Sequence, residues 1–122
     1  MEYYQLEVFR LAKELVQEIH LMSVKLPDHE KYETASQIRR SVKSIKSNIV
    51  EGYGRRSYKQ DFVHFLVIAY ASAEETLDHL DTLVECGSIK NDETFLRLHQ
   101  KADTLARKLN CFIKAVKKNH KT

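Results

Sequence analysis

The sequence predicts an all-α protein in which a single domain, residues 1–122, folds as an antiparallel up-down-up-down four-helix bundle. Three observations lead to this fold class. Apolar residues recur at steps of three and four along almost the whole chain, which is the spacing of helices and not of strands. Three Gly and one Pro are too few for the turns of an all-β fold. The turn residues that do occur divide the chain into four segments of helical length.

The first two predicted helices are amphipathic. In helix 1 the apolar stripe runs from Val8 to Leu26, and Pro27 is expected to end the helix because its ring disfavours helical geometry at the preceding residue. Helix 2 covers residues 34–53, and Thr34-Ala-Ser-Gln37 matches a capping box at its start. Its expected end is marked by two glycines, Gly52 and Gly54.

The last two predicted helices are longer. Helix 3 covers residues 58–86, with a capping-box match at Ser57-Tyr-Lys-Gln60. In helix 4 the apolar positions from Phe95 to Val116 step by three and four as a heptad seam. The stop of helix 3 and the cap of helix 4 are expected at Gly87 and at Asn91 or Asp92. Because the connections are short, neighbouring helices must run antiparallel.

Helix 3 carries more apolar surface than one bundle needs. Its apolar arc exceeds half of the helical circumference in the first half of the helix, and such a face predicts association with copies of the same chain. Three side chains widen the arc, and we expect them at an oligomer interface: Val63, Val67 and Tyr70.

No arrangement typical of an active site or a metal site occurs in the sequence. None of the six histidines follows a Glu by three residues, which is the spacing that di-iron bundles use. Gly52-Tyr-Gly54 begins like a dinucleotide-binding motif, but it follows a helix and Ser57 stands where the third glycine belongs. We therefore expect a non-enzymatic protein that uses no metal or cofactor.

The location of the protein is predicted from what the sequence does not contain. No stretch approaches the roughly 18 apolar residues of a membrane span, and the first residues have neither the basic nor the apolar region of a secretory signal. We expect a cytoplasmic protein without membrane contact.

The net charge of +3 conceals a strong alternation along the chain. Residues 1–30, 31–60, 61–93 and 94–122 carry −3, +6, −7 and +7. In helix 3 the acids form one stripe, Glu74, Asp78, Asp81 and Glu85. Antiparallel packing predicts ion pairs between this stripe and the bases of helix 4, Arg97, Lys101, Arg107 and Lys108, which would specify the neighbouring helices.

Helix 2 carries bases with fewer expected partners. Arg39, Lys43 and Lys46 form a stripe beside the apolar seam, and the segment of helix 3 expected opposite them has no acid. Glu14 and Glu18 of helix 1 are expected to neutralise part of the stripe. The other flank of helix 2 is small and polar, and it is expected to contact another helix through Gln37, Ser41, Ser44 and Asn48, with Ser72 and Glu75 as partners.

The turn between helices 2 and 3 is also basic, and it permits two interpretations. Arg55, Arg56 and Lys59 surround the start of helix 3, where free N–H groups favour an anion such as phosphate. Alternatively, the two arginines cap the carbonyl end of helix 2. Tyr53 and Tyr58 lie in the same turn, either as core residues or as exposed rings that stack on bases.

Two segments of the chain resemble a known family. SQIRRSVKSIKSNIVEGYGR, residues 36–55, and FVHFLVIAYASAEETLDHL, residues 62–80, resemble the bacterial four-helix-bundle family of 23S ribosomal RNA intervening-sequence proteins, whose name records gene location. The resemblance implies an antiparallel bundle that assembles into a ring, commonly five-fold. It further suggests kinship with accessory proteins of diversity-generating retroelements, which work with a reverse transcriptase and nucleic acid.

These observations lead to two functional hypotheses. The first is a non-enzymatic homo-oligomer that binds RNA or DNA backbone through the basic stripe of helix 2 and the following turn. Its candidate residues are Arg39, Lys43, Lys46, Arg55, Arg56 and Lys59. The alternative is a protein-interaction scaffold in which the same bases pair with acids of helix 1 or of a neighbouring subunit, without nucleic-acid binding.

Overall fold

In the computed structural model of the protein, which describes residues 1–30 and 32–119, four α-helices account for most of the chain. They are α1 (Glu7–Ser23), α2 (Thr34–Gly54), α3 (Lys59–Glu85) and α4 (Glu93–Asn119). Short 3₁₀ turns lie before α1, at Tyr3–Gln5, and between α1 and α2, at Asp28–Glu30. The all-α fold class predicted from the sequence is confirmed.

Side-chain contacts show that every pair of neighbouring helices is antiparallel. Between α2 and α3, Ser41 lies opposite Thr76 while Ser44 lies opposite Ser72, so one helix descends as the other ascends. The other three pairs of helices are also antiparallel. The contacts Met1–Tyr53 and Ser23–Arg39 show this for α1 and α2. Phe62–Phe112 and Asp81–His99 show it for α3 and α4, and Glu7–Lys108 and Glu18–Arg97 show it for α1 and α4. Each helix therefore has two neighbours, as in an up-down-up-down bundle.

One apolar core joins all four helices. Its fully buried members include Leu15 and Ile19 of α1, Ile45 of α2, Leu66 of α3 and Leu105 of α4. Each side chain of this size contributes about 1.5 to 3 kcal/mol when it leaves water. The apolar faces of all four helices supply these residues, because apolar side chains at steps of three and four share one helical face.

A polar seam lies between α2 and α3, where the small side chains were expected to contact a neighbouring helix. The hydroxyls of Ser41 and Thr76 are 2.8 Å apart, as are those of Ser44 and Ser72. Thr76 also donates to the carbonyl of Ser72. Thr76 therefore occupies the place that was expected for Glu75, and Gln37 is exposed instead of lying in the seam. The expected contact is confirmed for the two serines.

Gly52 allows α2 and α3 to approach closely near the end of this seam. A Cβ atom at Gly52 would lie 3.0 Å from the Cβ of Phe65 and 3.4 Å from the carbonyl oxygen of Phe62. Gly52 lies inside α2, which ends at Gly54, so its role is close packing. The expectation that both glycines stop the helix is correct only for Gly54.

Some helix ends differ from the expected boundaries. α1 ends at Ser23, four residues before Pro27, and the Ser23 hydroxyl donates to the carbonyl of His20. The two predicted capping boxes do not form, because the residues that precede α2 and α3 are Glu33 and Tyr58, and neither makes a side-chain cap. α2 thus starts one residue earlier than a cap at Thr34 requires, and α3 starts one residue later than a cap at Ser57 requires.

The connection between α3 and α4 forms as expected. Gly87 has a φ of +76°, a left-handed conformation that glycine adopts without steric cost. Asp92 caps α4, since its Oδ1 accepts hydrogen bonds from the backbone N–H groups of Thr94 at 3.1 Å and Phe95 at 3.2 Å.

Candidate nucleic-acid interface

Three bases of α4 pair with acids of α1, while Arg107 pairs with Asp103 of its own helix at 2.9 Å. Arg97 lies 3.1 Å from Glu18, Lys108 lies 3.2 Å from Glu7, and Lys101 donates to both Glu14 and Glu18. The predicted pairing of these bases with the acids of α3 is therefore wrong. The sequence shows which helices are charged but does not show how each charged flank is rotated towards its neighbours.

The ion pairs at the centre of this network change the ionisation of their members. Burial acts to raise the pKa of Glu18, but the hydrogen bonds and charges of Lys101 and Arg97 outweigh it and hold that pKa below its ordinary value. Hydrogen bonds to Glu14 and Glu18 raise the pKa of Lys101. Because Glu14 and Glu18 are occupied in this way, the expectation that they neutralise the bases of α2 is also wrong.

The acids of α3 consequently have few cationic partners. Asp81 lies 3.4 Å from His99, but within residues 1–30 and 32–119 no Lys or Arg pairs with Glu74, Asp78 or Glu85. The charge of Glu74, helped by partial burial and a hydrogen bond, raises the pKa of Tyr70. The outer face of α3 is therefore an acidic surface of the folded protein.

The predicted basic stripe of α2 lies on the flank that faces α1. Arg39 is half-buried and donates to the Ser23 hydroxyl of α1 at 3.0 Å. Lys43 is exposed and Lys46 is half-buried, and neither has an acidic partner among the residues that the structure describes. Both lysines are thus available to an external anion.

Two exposed bases of α1 were missed in the sequence. His20 and Val24 line a cavity together with Arg39 of α2. Arg10 and Lys13 are both exposed on α1, and Lys13 lies on the same face as His20. Because Ser23 is level with Arg39, Lys13 lies about 15 Å further along and is level with the second half of α2. These bases were missed because acids outnumber them in residues 1–30, whose net charge is −3.

The three bases of the turn after α2 lie in different surroundings. Arg55 lies 3.6 Å from both Glu51 and Asp61, with its guanidinium carbon 5.0 Å from the ring centre of Phe65. Arg56 donates to the carbonyl of Tyr53 at 2.9 Å, so this arginine does cap α2, and its guanidinium also covers the ring of Tyr53.

Lys59 begins α3 and is half-buried. It precedes Val63 by four residues on the flank of α3 that faces α4, and the described residues give it no acidic partner. The structure therefore does not bring the six predicted bases into one cluster.

A set of bases without an acidic partner among the described residues nevertheless lies along α1 and α2. We call it the basic track, and it consists of Arg10, Lys13, Lys43, Lys46 and Arg56. From Lys43 to Arg56 it extends about 20 Å at 1.5 Å per residue. Along the axis of a B-form duplex, one strand carries a phosphate about every 3.4 Å, so this length corresponds to about six phosphates of a duplex strand.

Aromatic rings surround the end of the track at the α2–α3 turn. The hydroxyl of Tyr53 donates to the carbonyl of Met1 at 2.9 Å, which holds the N-terminal segment against the end of α2. Tyr53 is half-buried and packs on the core, whereas Tyr58 and Tyr4 are 69% and 57% exposed. Of the two rings singled out in the sequence, one therefore belongs to the core and one is exposed.

The residues expected at an oligomer interface lie along α3. Val67 is 44% exposed, while Val63 and Tyr70 are half-buried against the core. Their position at an interface stays a prediction.

Neither a metal site nor a membrane span is found in the part of the chain that the structure describes. No group of three or more His, Cys, Asp or Glu side chains there is arranged to hold a metal ion. No helix there combines the length and the apolarity that a bilayer crossing requires.

The four antiparallel helices, with acids and bases separated onto different faces, define a charged helical-bundle protein. The chain belongs to the 23S rRNA-intervening sequence protein family, whose model matches residues 4–111. This confirms the family predicted from residues 36–55 and 62–80. The suggested kinship with retroelement accessory proteins stays a prediction.

A solved structure has the same fold. A crystal structure of a protein with unknown function from the S23 ribosomal protein family of Bacteroides thetaiotaomicron VPI-5482 is 28% identical in sequence, with a TM-score of 0.80. The similarity covers 88% of this chain and 95% of that chain. No match was found among curated proteins.

Proposed function

We propose that the protein is a cytoplasmic, non-enzymatic homo-oligomer that binds the backbone of RNA or DNA along the basic track. The observation that carries the proposal is the distribution of charge. Arg97, Lys101 and Lys108 of α4 are engaged by acids of α1, whereas Lys13, Lys43 and Lys46 have no acidic partner among the described residues. Cations without partners, aligned over the length of about six phosphates, suit a polyanion.

The predicted bases that lie outside the track have secondary parts in this proposal. Lys59 lies at the end of the bundle and extends positive charge beyond Arg56, whereas Arg55 is paired with Glu51 and Asp61. Arg39 is bonded to Ser23 and holds α1 against α2 at the other end of the track.

Self-association strengthens the proposal because a ring of copies repeats each track. Weak binding at one track becomes useful affinity when several tracks engage one polymer. We propose that the copies meet through Val63, Val67 and Tyr70, and a five-fold ring is what the family resemblance implies. A reverse transcriptase partner, which the suggested kinship implies, stays a prediction.

The proposal is tested by reversing two exposed bases of the track. The variant Lys13→Glu/Lys43→Glu is compared with Lys25→Glu/Lys90→Glu, which changes the net charge equally at exposed positions outside the track. Electrophoretic shifts with ribosomal RNA, duplex DNA and single strands are measured over a range of salt concentrations.

We expect the track variant to bind every sequence more weakly, with a shallower dependence of log K on log salt by about 1.4 for single strands. The control variant should keep the dependence of the original protein. Equal effects of the two variants, or binding that does not respond to salt, would refute the proposal.

The protein-interaction scaffold is the second candidate, and the acidic face of α3 favours it. The hydrogen bonds of Ser41 and Ser44 set Lys43 level with Glu74, so two copies with parallel axes would bring the bases of one to the acids of the next. This candidate predicts loss of the oligomer in Lys43→Glu, measured by light scattering, and no nucleic-acid binding at physiological salt. The leading proposal predicts an unchanged oligomeric mass for the same variant.

A further inference from the structure

Three tyrosines at one end of the bundle keep much of their ring surface in water. Tyr58, Tyr4 and Tyr3 are 69%, 57% and 39% exposed. The hydrogen bond from Tyr53 to Met1 places the segment that contains Tyr3 and Tyr4 beside the α2–α3 turn that contains Tyr58. Exposed aromatic rings and arginine at one end of a protein are typical of surfaces that bind a partner.

The tyrosines differ in how far the fold itself uses them. Tyr3 packs edge to face on Phe9 and on Tyr4, with ring centres 5.0 and 5.7 Å apart. Tyr53 packs on Phe62 and lies under Arg56. Tyr58 packs against none of the described aromatic rings, and Tyr4 packs only against Tyr3. The fold therefore leaves the rings of Tyr58 and Tyr4 available.

We infer that Tyr58 and Tyr4 stack on unpaired bases, so that the protein selects single-stranded nucleic acid over duplex. This inference rests on the proposed backbone binding and adds the class of strand. The cations of the track contact phosphates, which a single strand and a duplex both offer. A base inside a duplex has both faces covered by its neighbours, whereas an unpaired base presents a face to an aromatic side chain.

The end of the track brings a cation that can bind a phosphate close to the tyrosines that can stack on bases. Arg56 is the last base of the track and lies 4.2 Å from the ring centre of Tyr53. A strand whose phosphates follow the track therefore arrives directly at the tyrosines. Because every base has an aromatic face, stacking here tolerates any sequence.

The test uses the full chain and one oligonucleotide sequence in two forms, as a labelled single strand and annealed to its complement. RNA and DNA versions of both forms are measured by fluorescence anisotropy at one salt concentration. The variant Tyr4→Leu/Tyr58→Leu removes the rings but keeps apolar side chains, and Tyr4→Phe/Tyr58→Phe keeps the rings. Tyr32→Leu, which removes a 90% exposed ring that precedes α2 at the opposite end from the α2–α3 turn, is the matched control.

We expect the original protein to prefer the single strand. The leucine variant should lose at least about fivefold in single-strand affinity, the lower limit for one stacked base, while duplex affinity stays constant. The phenylalanine variant and the control should keep the preference. Equal affinity for the two forms, or a leucine variant that keeps its preference, would overturn the inference while the proposed backbone binding stands. A protein that binds neither form would overturn both.

Discussion

The ion pair between Glu18 of α1 and Lys101 of α4 offers a measurable test of how the helices are oriented. The perturbation is a double-mutant cycle in which Glu18→Gln and Lys101→Met are made singly and together. The side chains are 22% and 33% exposed, so water screens the pair only in part. Partly exposed pairs couple by about 0.2 to 1 kcal/mol. We expect a coupling near 1 kcal/mol, because the hydrogen bond joins two charged groups.

The assay is urea unfolding followed by circular dichroism, at one protomer concentration so that self-association contributes equally to every variant. A second cycle combines Lys101→Met with Asp78→Asn of α3. In the pairing predicted from the sequence, Asp78 is a partner of Lys101. In the structure it is not, and we expect a coupling near zero. A coupling of Asp78 that equals or exceeds that of Glu18 would refute the packing described for α1 and α4.

The dependence on pH gives a second readout of the same pair. Folding lowers the pKa of Glu18. The contribution of this carboxylate to the free energy of unfolding is therefore complete above its unfolded pKa of about 4.3, and it is lost as the pH falls through the folded pKa. Folding raises the pKa of Lys101. The contribution of this ammonium group to the free energy of unfolding is therefore complete below its unfolded pKa of about 10.4, and it is lost as the pH rises through the folded pKa. The coupling should be constant between these limits and vanish beyond them.

Three substitutions and one control substitution test the packing of α2, α3 and α4. Gly52→Val should lower the free energy of unfolding by about 1 to 3 kcal/mol because its Cβ meets Phe65, whereas Gly54→Val, with open space around it, should cost less, as measured by urea unfolding. Asp92→Ala should cost about 0.5 to 2 kcal/mol by removing the cap of α4, and an unchanged midpoint would contradict that role. Thr76→Val keeps the volume but removes a buried hydroxyl bonded to α2, and a loss of about 1 kcal/mol is expected in thermal unfolding.

Much of the fold follows from the spacing of apolar residues. The positions that are fully buried, such as Ile45 and Leu105, lie on the predicted stripes, because a helix that buries one face needs an apolar side chain every three or four residues. The stop at Gly87 and the cap at Asp92 were also predictable, since each depends on local backbone chemistry. The end of α1 was not predictable. Leu26 lies after the helix but its side chain is buried in the core, so its position in the sequence continues the apolar spacing of the helix.

The candidate site was only partly predictable, because its charges act between helices. Lys43 and Lys46 were identified from their own helix, but Arg10 and Lys13 join them only when α1 is rotated to place its acids against α4. That rotation depends on the packing of the whole bundle. Tyr4 was missed for a similar reason. The hydrogen bond between Tyr53 and Met1 joins the N-terminal segment to the end of α2, and these segments are far apart in the sequence.

The central claim is that the five cations of the basic track bind phosphates, and the salt dependence of binding tests it most directly. The association constant of the protein for a single strand is measured by fluorescence anisotropy at a series of salt concentrations. Five phosphate contacts predict a slope of log K against log salt near −3.5. A slope of that size that becomes shallower in Lys13→Glu/Lys43→Glu is the expected result. A slope near zero would contradict the account.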